Sequence, residues 1–162
     1  MIVLIFVDDD SIISSLDLKG KFISLPDSLG QLTSLIRLDL GTNALRNLPD
    51  SIGNLIALEE LLIGGNELVH LPESIGNLRS LTYLNVLDSS LTVLPDSIGN
   101  LSSLIELYVG DNQLVRLPDS INNLSSLATF YVHRNPIAST KEGRDEVGGR
   151  FGRAGLCNNF LN

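Results

Sequence analysis

The dipeptide Leu-Pro falls at Leu25-Pro26, Leu48-Pro49, Leu71-Pro72, Leu94-Pro95 and Leu117-Pro118, at a constant interval of 23 residues. A fixed period of this length signals a repeat architecture. Each unit is too small to bury its own apolar side chains and must stack on its neighbours. The phrase after each proline repeats as well. It reads Asp-Ser-Leu-Gly-Gln-Leu from Asp27 and Asp-Ser-Ile-Gly-Asn-Leu from Asp50, and it opens on Glu73, Asp96 and Asp119 in the later copies. In the last copy Asn122 stands where the others carry glycine. Proline suits the first position of a helix, and an acid in the first turn favours the positive end of the peptide dipoles. Glycine makes a long helix costly. The phrase therefore predicts one or two helical turns, partly 3-10.

A second pattern lies between these phrases. Leu35, Leu38, Leu40, Asn43 and Leu45 recur as Leu58, Leu61, Ile63, Asn66 and Leu68, then as Leu81, Leu84, Val86, Ser89 and Leu91. Two further copies are Leu104, Leu107, Val109, Asn112, Leu114 and Leu127, Phe130, Val132, Asn135, Ile137. Apolar and variable positions alternate with period two, as in a half-buried strand. A strand that returns in the same sense every 23 residues stacks parallel to its predecessor, about 4.8 Å away.

With both patterns in view, the chain resembles the leucine-rich-repeat proteins, whose pattern is LxxLxLxxNxLxxLPxxIGxLxx. The resemblance runs over residues 13–137 and is closest to the 23-residue intracellular type of bacterial and plant Ras-group-related repeat proteins. It implies an α/β fold: a right-handed solenoid, or horseshoe, of six repeats. The parallel sheet would line the concave side, with short α/3-10 turns on the convex side. It also implies that Asn43, Asn66, Asn112 and Asn135 form a ladder of side-chain amides bonded to the backbone of adjacent turns. Ser89 interrupts that ladder, and a looser or water-bridged turn is expected there.

The ends depart from the pattern. Residues 1–12 are expected to form an N-terminal cap or edge strand, 13–137 the six repeats, and 138–162 a capping helix and tail. The first repeat is one residue short: Leu18 lies eight positions before Pro26, whereas Leu40 lies nine before Pro49, and Gly20 or Lys21 replaces the asparagine. Terminal repeats are commonly atypical because they cover the core. Asp8-Asp9-Asp10 after an apolar strand is similar to the magnesium-binding opening of receiver domains. Nothing downstream completes such a site, so these acids read as a solvated turn blunting an edge, with no metal. At the other end Ser139 or Thr140 is the candidate N-cap of a helix with Glu142 in its first turn. Val147 and Phe151 would lie over the last leucines.

Composition narrows the functional classes. Leucine and isoleucine fill 46 of 162 positions, which excludes intrinsic disorder. The formal charge is −8, and no basic patch covers the repeats, so neither nucleic acid nor an anionic membrane is an expected partner. Cys157 is the sole cysteine, which excludes an internal disulfide and a cysteine-based zinc site. Met1 to Val7 lacks the basic region and cleavage site of a secretory leader, so a cytoplasmic setting is expected. The sequons at Asn100 and Asn123 come from the repeated phrase itself.

No catalytic constellation emerges. His70 and His133 are the only histidines and lie in different phases of the repeat. No phosphate-binding glycine loop is present. The expectation is a protein that is not an enzyme, with no cofactor and no small-molecule substrate. The strand face is more informative, because residues alternating with the core leucines project together onto the concave side. Its columns contain Arg37, Asp39, Glu60, Leu62, Tyr83, Asn85, Glu106, Tyr108, Tyr131 and His133, including all three tyrosines of the chain. Gly41, Gly64 and Gly110 would leave room for close approach. Tyrosine also pairs well across strands, which competes with a binding role. Its rigid amphipathic surface makes it a frequent hot spot. These ten residues are therefore the candidate contact face for a protein or peptide partner. The resemblance makes a signalling scaffold the expected role. The alternative is the repeat region of a larger receptor, kinase or GTPase-associated signalling protein. The oligomeric state is left open.

Overall fold

A computed structural model of the chain describes residues 2–7, 13–139, 141, 143 and 145. The expectations placed on Asp8–Asp10, Thr140, Glu142, Val147, Phe151 and Cys157 lie outside the described residues. A seven-stranded sheet runs in chain order. It consists of β1 (Ile2–Val7), β2 (Ile13–Lys19), β3 (Arg37–Asp39), β4 (Glu60–Leu62), β5 (Tyr83–Asn85), β6 (Glu106–Tyr108) and β7 (Thr129–Tyr131). β2 to β7 are parallel, with Leu16, Leu38, Leu61, Leu84, Leu107 and Phe130 side by side. β1 pairs antiparallel with the outer edge of β2. The step from Leu16 to Leu38 is one residue shorter than the later steps, as the short first repeat requires.

Between strands the chain returns through 3-10 turns at Asp27–Gln31, Asp50–Asn54, Glu73–Asn77, Asp96–Asn100 and Asp119–Asn123. The expected leucine-rich-repeat solenoid is thus what the chain forms. The prolines sit one place earlier than expected: each is the N-cap, with ψ near 150° rather than helical. The cause is that the proline carbonyl, not its nitrogen, is needed. Pro49 accepts the Ile52 N–H at 3.0 Å, and Pro72 accepts that of Ile75 at 3.0 Å. The glycine two residues after each turn serine has a packing role. A Cβ on Gly53 would lie 2.5 Å from the Ser74 carbonyl oxygen, and one on Gly76 would lie 2.5 Å from that of Ser97. Successive turns therefore touch through bare backbone. Asn122, in the last turn, is exposed.

The core fills the space between sheet and turns. Leu35, Leu38, Leu40 and Leu45 are wholly buried, as are their counterparts through Leu114 except Asn and Ser positions, and Ile137 closes the last coil. Polar backbone at the turn after β3, β4, β6 and β7 is satisfied by asparagine. The Asn66 amide donates to the Leu40 and Ile63 carbonyls at 3.0 and 2.9 Å and accepts the Leu45 N–H at 3.0 Å. Asn112 and Asn135 repeat this arrangement. Asn43 joins Leu18, Leu40 and Phe22 in the same way. Ser89 is too short to bridge, and its hydroxyl is buried with no hydrogen-bond partner among the described residues. Each ladder position follows a left-handed residue: Thr42, Gly65, Asp88, Asp111 and Arg134 have φ between 51° and 68°.

The C-terminal helix α1 (Pro136–Ser139) starts earlier than the sequence suggested. Proline at its first position has no N–H to leave unpaired. Ser139 lies inside the helix and donates back to the Asn135 carbonyl at 3.3 Å, so it is not the N-cap.

Candidate functional site

In β3 to β7 the central residue of each strand is buried and its two neighbours are half-buried on the open face. Strand pleating thus places Arg37, Asp39, Glu60, Leu62, Tyr83, Asn85, Glu106, Tyr108 and Tyr131 on one surface, and His133 follows β7. The surface divides into two clusters, with Leu62 and Asn85 between them.

The first cluster is polar and largely paired with itself. Arg37 bonds to Glu60 on the next strand and to Asp39 at 3.3 Å. The other Asp39 oxygen accepts the Gly41 N–H at 3.0 Å. Asn85 likewise accepts the Leu87 N–H at 3.0 Å. These ion pairs are open to water, so each contributes little to stability. Their effect is to fix side-chain direction.

The second cluster is aromatic. Tyr83 and Tyr108 have ring centroids 5.4 Å apart, and Tyr108 and Tyr131 5.9 Å apart, both tilted at about 40°. Ring pairs at this separation add to the burial of their apolar area. The stack therefore includes Tyr83, which occupies a different column and reaches Tyr108 diagonally. The Tyr108 hydroxyl donates to the Glu106 carboxylate at 2.7 Å. That hydrogen bond, assisted by burial and by the carboxylate charge, pushes the Tyr108 phenol up to about 12. The Tyr131 hydroxyl bonds to Nε2 of His133, whose ring stands edge-on to Tyr131 with centroids 3.8 Å apart. Nδ1 of His133 is buried with no hydrogen-bond partner among the described residues.

Two of the three strand-end glycines, Gly64 and Gly110, do not leave space for a visitor. A Cβ on Gly110 would lie 2.7 Å from the Tyr131 ring, and one on Gly64 would lie 2.8 Å from the Asn85 amide oxygen. Those gaps are filled by side chains of the following repeat, which is why small residues are needed there.

Sequence reasoning missed one further concavity. A groove of about 450 Å³ runs over the descending turns, lined by Leu48, His70, Leu71, Pro72, Val93 and Pro95 among others. The Leu-Pro period marks its floor and puts His70 and Val93, 23 residues apart, at equivalent places; the hollow between them depends on how the coils stack. Among the described residues, no group of three or more His, Cys, Asp or Glu side chains is placed to hold a metal ion. No helix among them is long and apolar enough to cross a membrane.

Comparison with known proteins gives a consistent picture. A family model described as a leucine-rich repeat region matches residues 61–142. Among solved structures, the leucine-rich-repeat protein LIC12759 of Leptospira interrogans is 34% identical with a TM-score of 0.72, over 74% of this chain and 31% of that one. The plant peptide hormone receptor RGFR1, solved in complex with RGF2, is 31% identical with a TM-score of 0.69, over 80% of this chain and 23% of the receptor's. An internalin (inlF) of Listeria monocytogenes is 27% identical with a TM-score of 0.66, over 76% of this chain and 35% of that one. This chain therefore spans about a third or less of each of these proteins. No curated protein sequence matches it. The 23-residue period, the parallel sheet with its 3-10 returns, the asparagine-bonded turns and a family match over half the residues agree, and the chain belongs to the leucine-rich-repeat family.

Proposed function

We propose that this chain is a non-enzymatic protein-interaction module, acting as a cytoplasmic signalling scaffold, that holds a protein or peptide on its concave strand face. The observation that carries the reading is the continuous stack of Tyr83, Tyr108 and Tyr131, half-exposed on three adjacent strands. Rigid aromatic rings on a stacked sheet lose little conformational freedom on binding, which reduces the entropy cost of association. Glu106 and His133 orient two of the three hydroxyls, and Arg37, Asp39 and Glu60 form the polar end. Leu62 and Asn85 connect the two. The similarity to a plant peptide hormone receptor solved in complex with RGF2 supports a protein or peptide as the partner class. The acidic balance of the chain disfavours nucleic acid and anionic membranes. A second reading takes these repeats as the interaction region of a larger receptor, kinase or GTPase-associated signalling protein. It is favoured by the greater length of the similar proteins.

The test is affinity capture with wild type, Tyr108→Ala/Tyr131→Ala and, as a control beside the 3-10 turns, Ile56→Ala. Truncating hot-spot aromatics costs about 2 kcal/mol or more, a roughly thirtyfold weakening. Circular dichroism checks that each variant keeps its fold. Partners that bind the double variant as tightly as wild type would overturn the reading.

A further inference from the structure

We propose that the partner segment seated on β5 to β7 carries an arginine, whose guanidinium lies against the Tyr108 and Tyr83 rings and pairs with Glu106. This rests on the concave face being the contact surface. The charge on that face points to a cation. Counting histidine as neutral, Glu60 and Glu106 are the only charged side chains among the face positions of β4 to β7. Glu60 is already paired with Arg37. Among these positions Glu106 is therefore the one charge with no ion-pair partner among the described residues, and it stands at the edge of the aromatic stack.

Its geometry is suited to a forked donor. One Glu106 oxygen accepts the Tyr108 hydroxyl at 2.7 Å, and the other takes no hydrogen bond from the described residues. The bond to Tyr108 fixes the carboxylate beside the half-exposed Tyr83 and Tyr108 rings, so a planar cation can lie against the open side of those rings and reach the free oxygen together. Guanidinium is flat and weakly hydrated and offers several N–H donors in one plane, whereas an ammonium is a strongly hydrated point charge. Arginine is thus preferred over lysine at this place. The overall charge of −8 steers a basic segment toward the protein in low salt.

The probe is a blocked peptide of alternating arginine and glycine, with citrulline, lysine and glutamate counterparts of the same length. Each is titrated into the full chain while the tyrosine ring signals are followed by NMR. We expect saturable shifts of the Tyr83 and Tyr108 rings with the arginine peptide, weaker ones with lysine, and none with citrulline or glutamate. Glu106→Gln should weaken the arginine peptide about tenfold, since charge-assisted hydrogen bonds are worth more than neutral ones. Equal shifts with arginine and citrulline, or an unchanged titration in Glu106→Gln, would overturn the proposal. If that happens while Tyr108→Ala/Tyr131→Ala still loses a captured partner, the binding face stands and only the arginine assignment falls. If capture survives the double substitution, the face itself is wrong.

Discussion

Tyr108 gives its hydroxyl hydrogen to Glu106, and the phenol is held up to about 12, above the unfolded value of about 10. A folded-state value above the unfolded one means the interaction stabilises fully below pH 10 and is lost as pH rises toward 12. In an alkaline titration followed by tyrosinate absorbance, we expect the Tyr108 step near 12 and its return toward about 10 in Glu106→Gln. A titration indifferent to that substitution would contradict the pairing. Two backbone positions make equally local predictions. Asparagine at position 89 would bridge turns as Asn66 and Asn112 do, where the Ser89 hydroxyl has no hydrogen-bond partner among the described residues. Ser89→Asn should therefore stabilise by about 1–2 kcal/mol in chemical unfolding. Gly65 sits at φ 68° with Thr42 Cγ2 close to where a Cβ would fall. Gly65→Val should cost about 1–2 kcal/mol or more, and Gly65→Asn distinctly less, because asparagine tolerates the left-handed region. Equal losses for the two would refute the backbone explanation. The ladder asparagines were visible in the sequence as a column. The left-handed residue before each was not, because Thr42 and Arg134 stand in the same column as Gly65, Asp88 and Asp111 and break its pattern.

The repeating elements are short, and none would persist alone: the three-residue strands β3 to β7 and the five-residue 3-10 turns gain their order from neighbouring coils. The contact between successive turns depends on the absence of a side chain at Gly30, Gly53, Gly76 and Gly99. Gly76→Ala should destabilise by about 2 kcal/mol, the cost of forcing extra volume against fixed backbone. Asn122→Ala, at the equivalent exposed place in the last turn, should change stability by less than about 0.5 kcal/mol. Thermal unfolding of the two variants side by side checks this, and similar losses would show that the glycines do not act by packing. Strand positions and the shortness of the turns were legible because alternation and the Leu-Pro phrase report on single coils. The reason for the glycine was not, since it lies in the coil above. Local patterning also put proline one place too late and the last helix too near the tail, because helix starts depend on which carbonyl is free to accept.

At the scale of the whole molecule, the period alone assigned face residues to columns, so the grouping of Tyr83, Tyr108 and Tyr131 was legible before any coordinates. How those residues pair was not. Arg37 turning to Glu60, Tyr108 to Glu106 and Tyr131 to His133 follows from rotamers and strand spacing that a string of letters does not carry. The outcome is a surface with a self-paired polar end and an aromatic end that still offers half-exposed rings and one carboxylate oxygen. Site-specific photo-crosslinking examines this surface most directly. Benzoylphenylalanine would replace Asn85 or Tyr131 on the concave face and, in parallel, Ile56 or Arg79 beside the 3-10 turns. We expect a shared crosslinked partner from positions 85 and 131 and none from 56 or 79. Crosslinks confined to the turn side, with positions 85 and 131 silent, would show that the concave tyrosine face is not where this protein meets its partner.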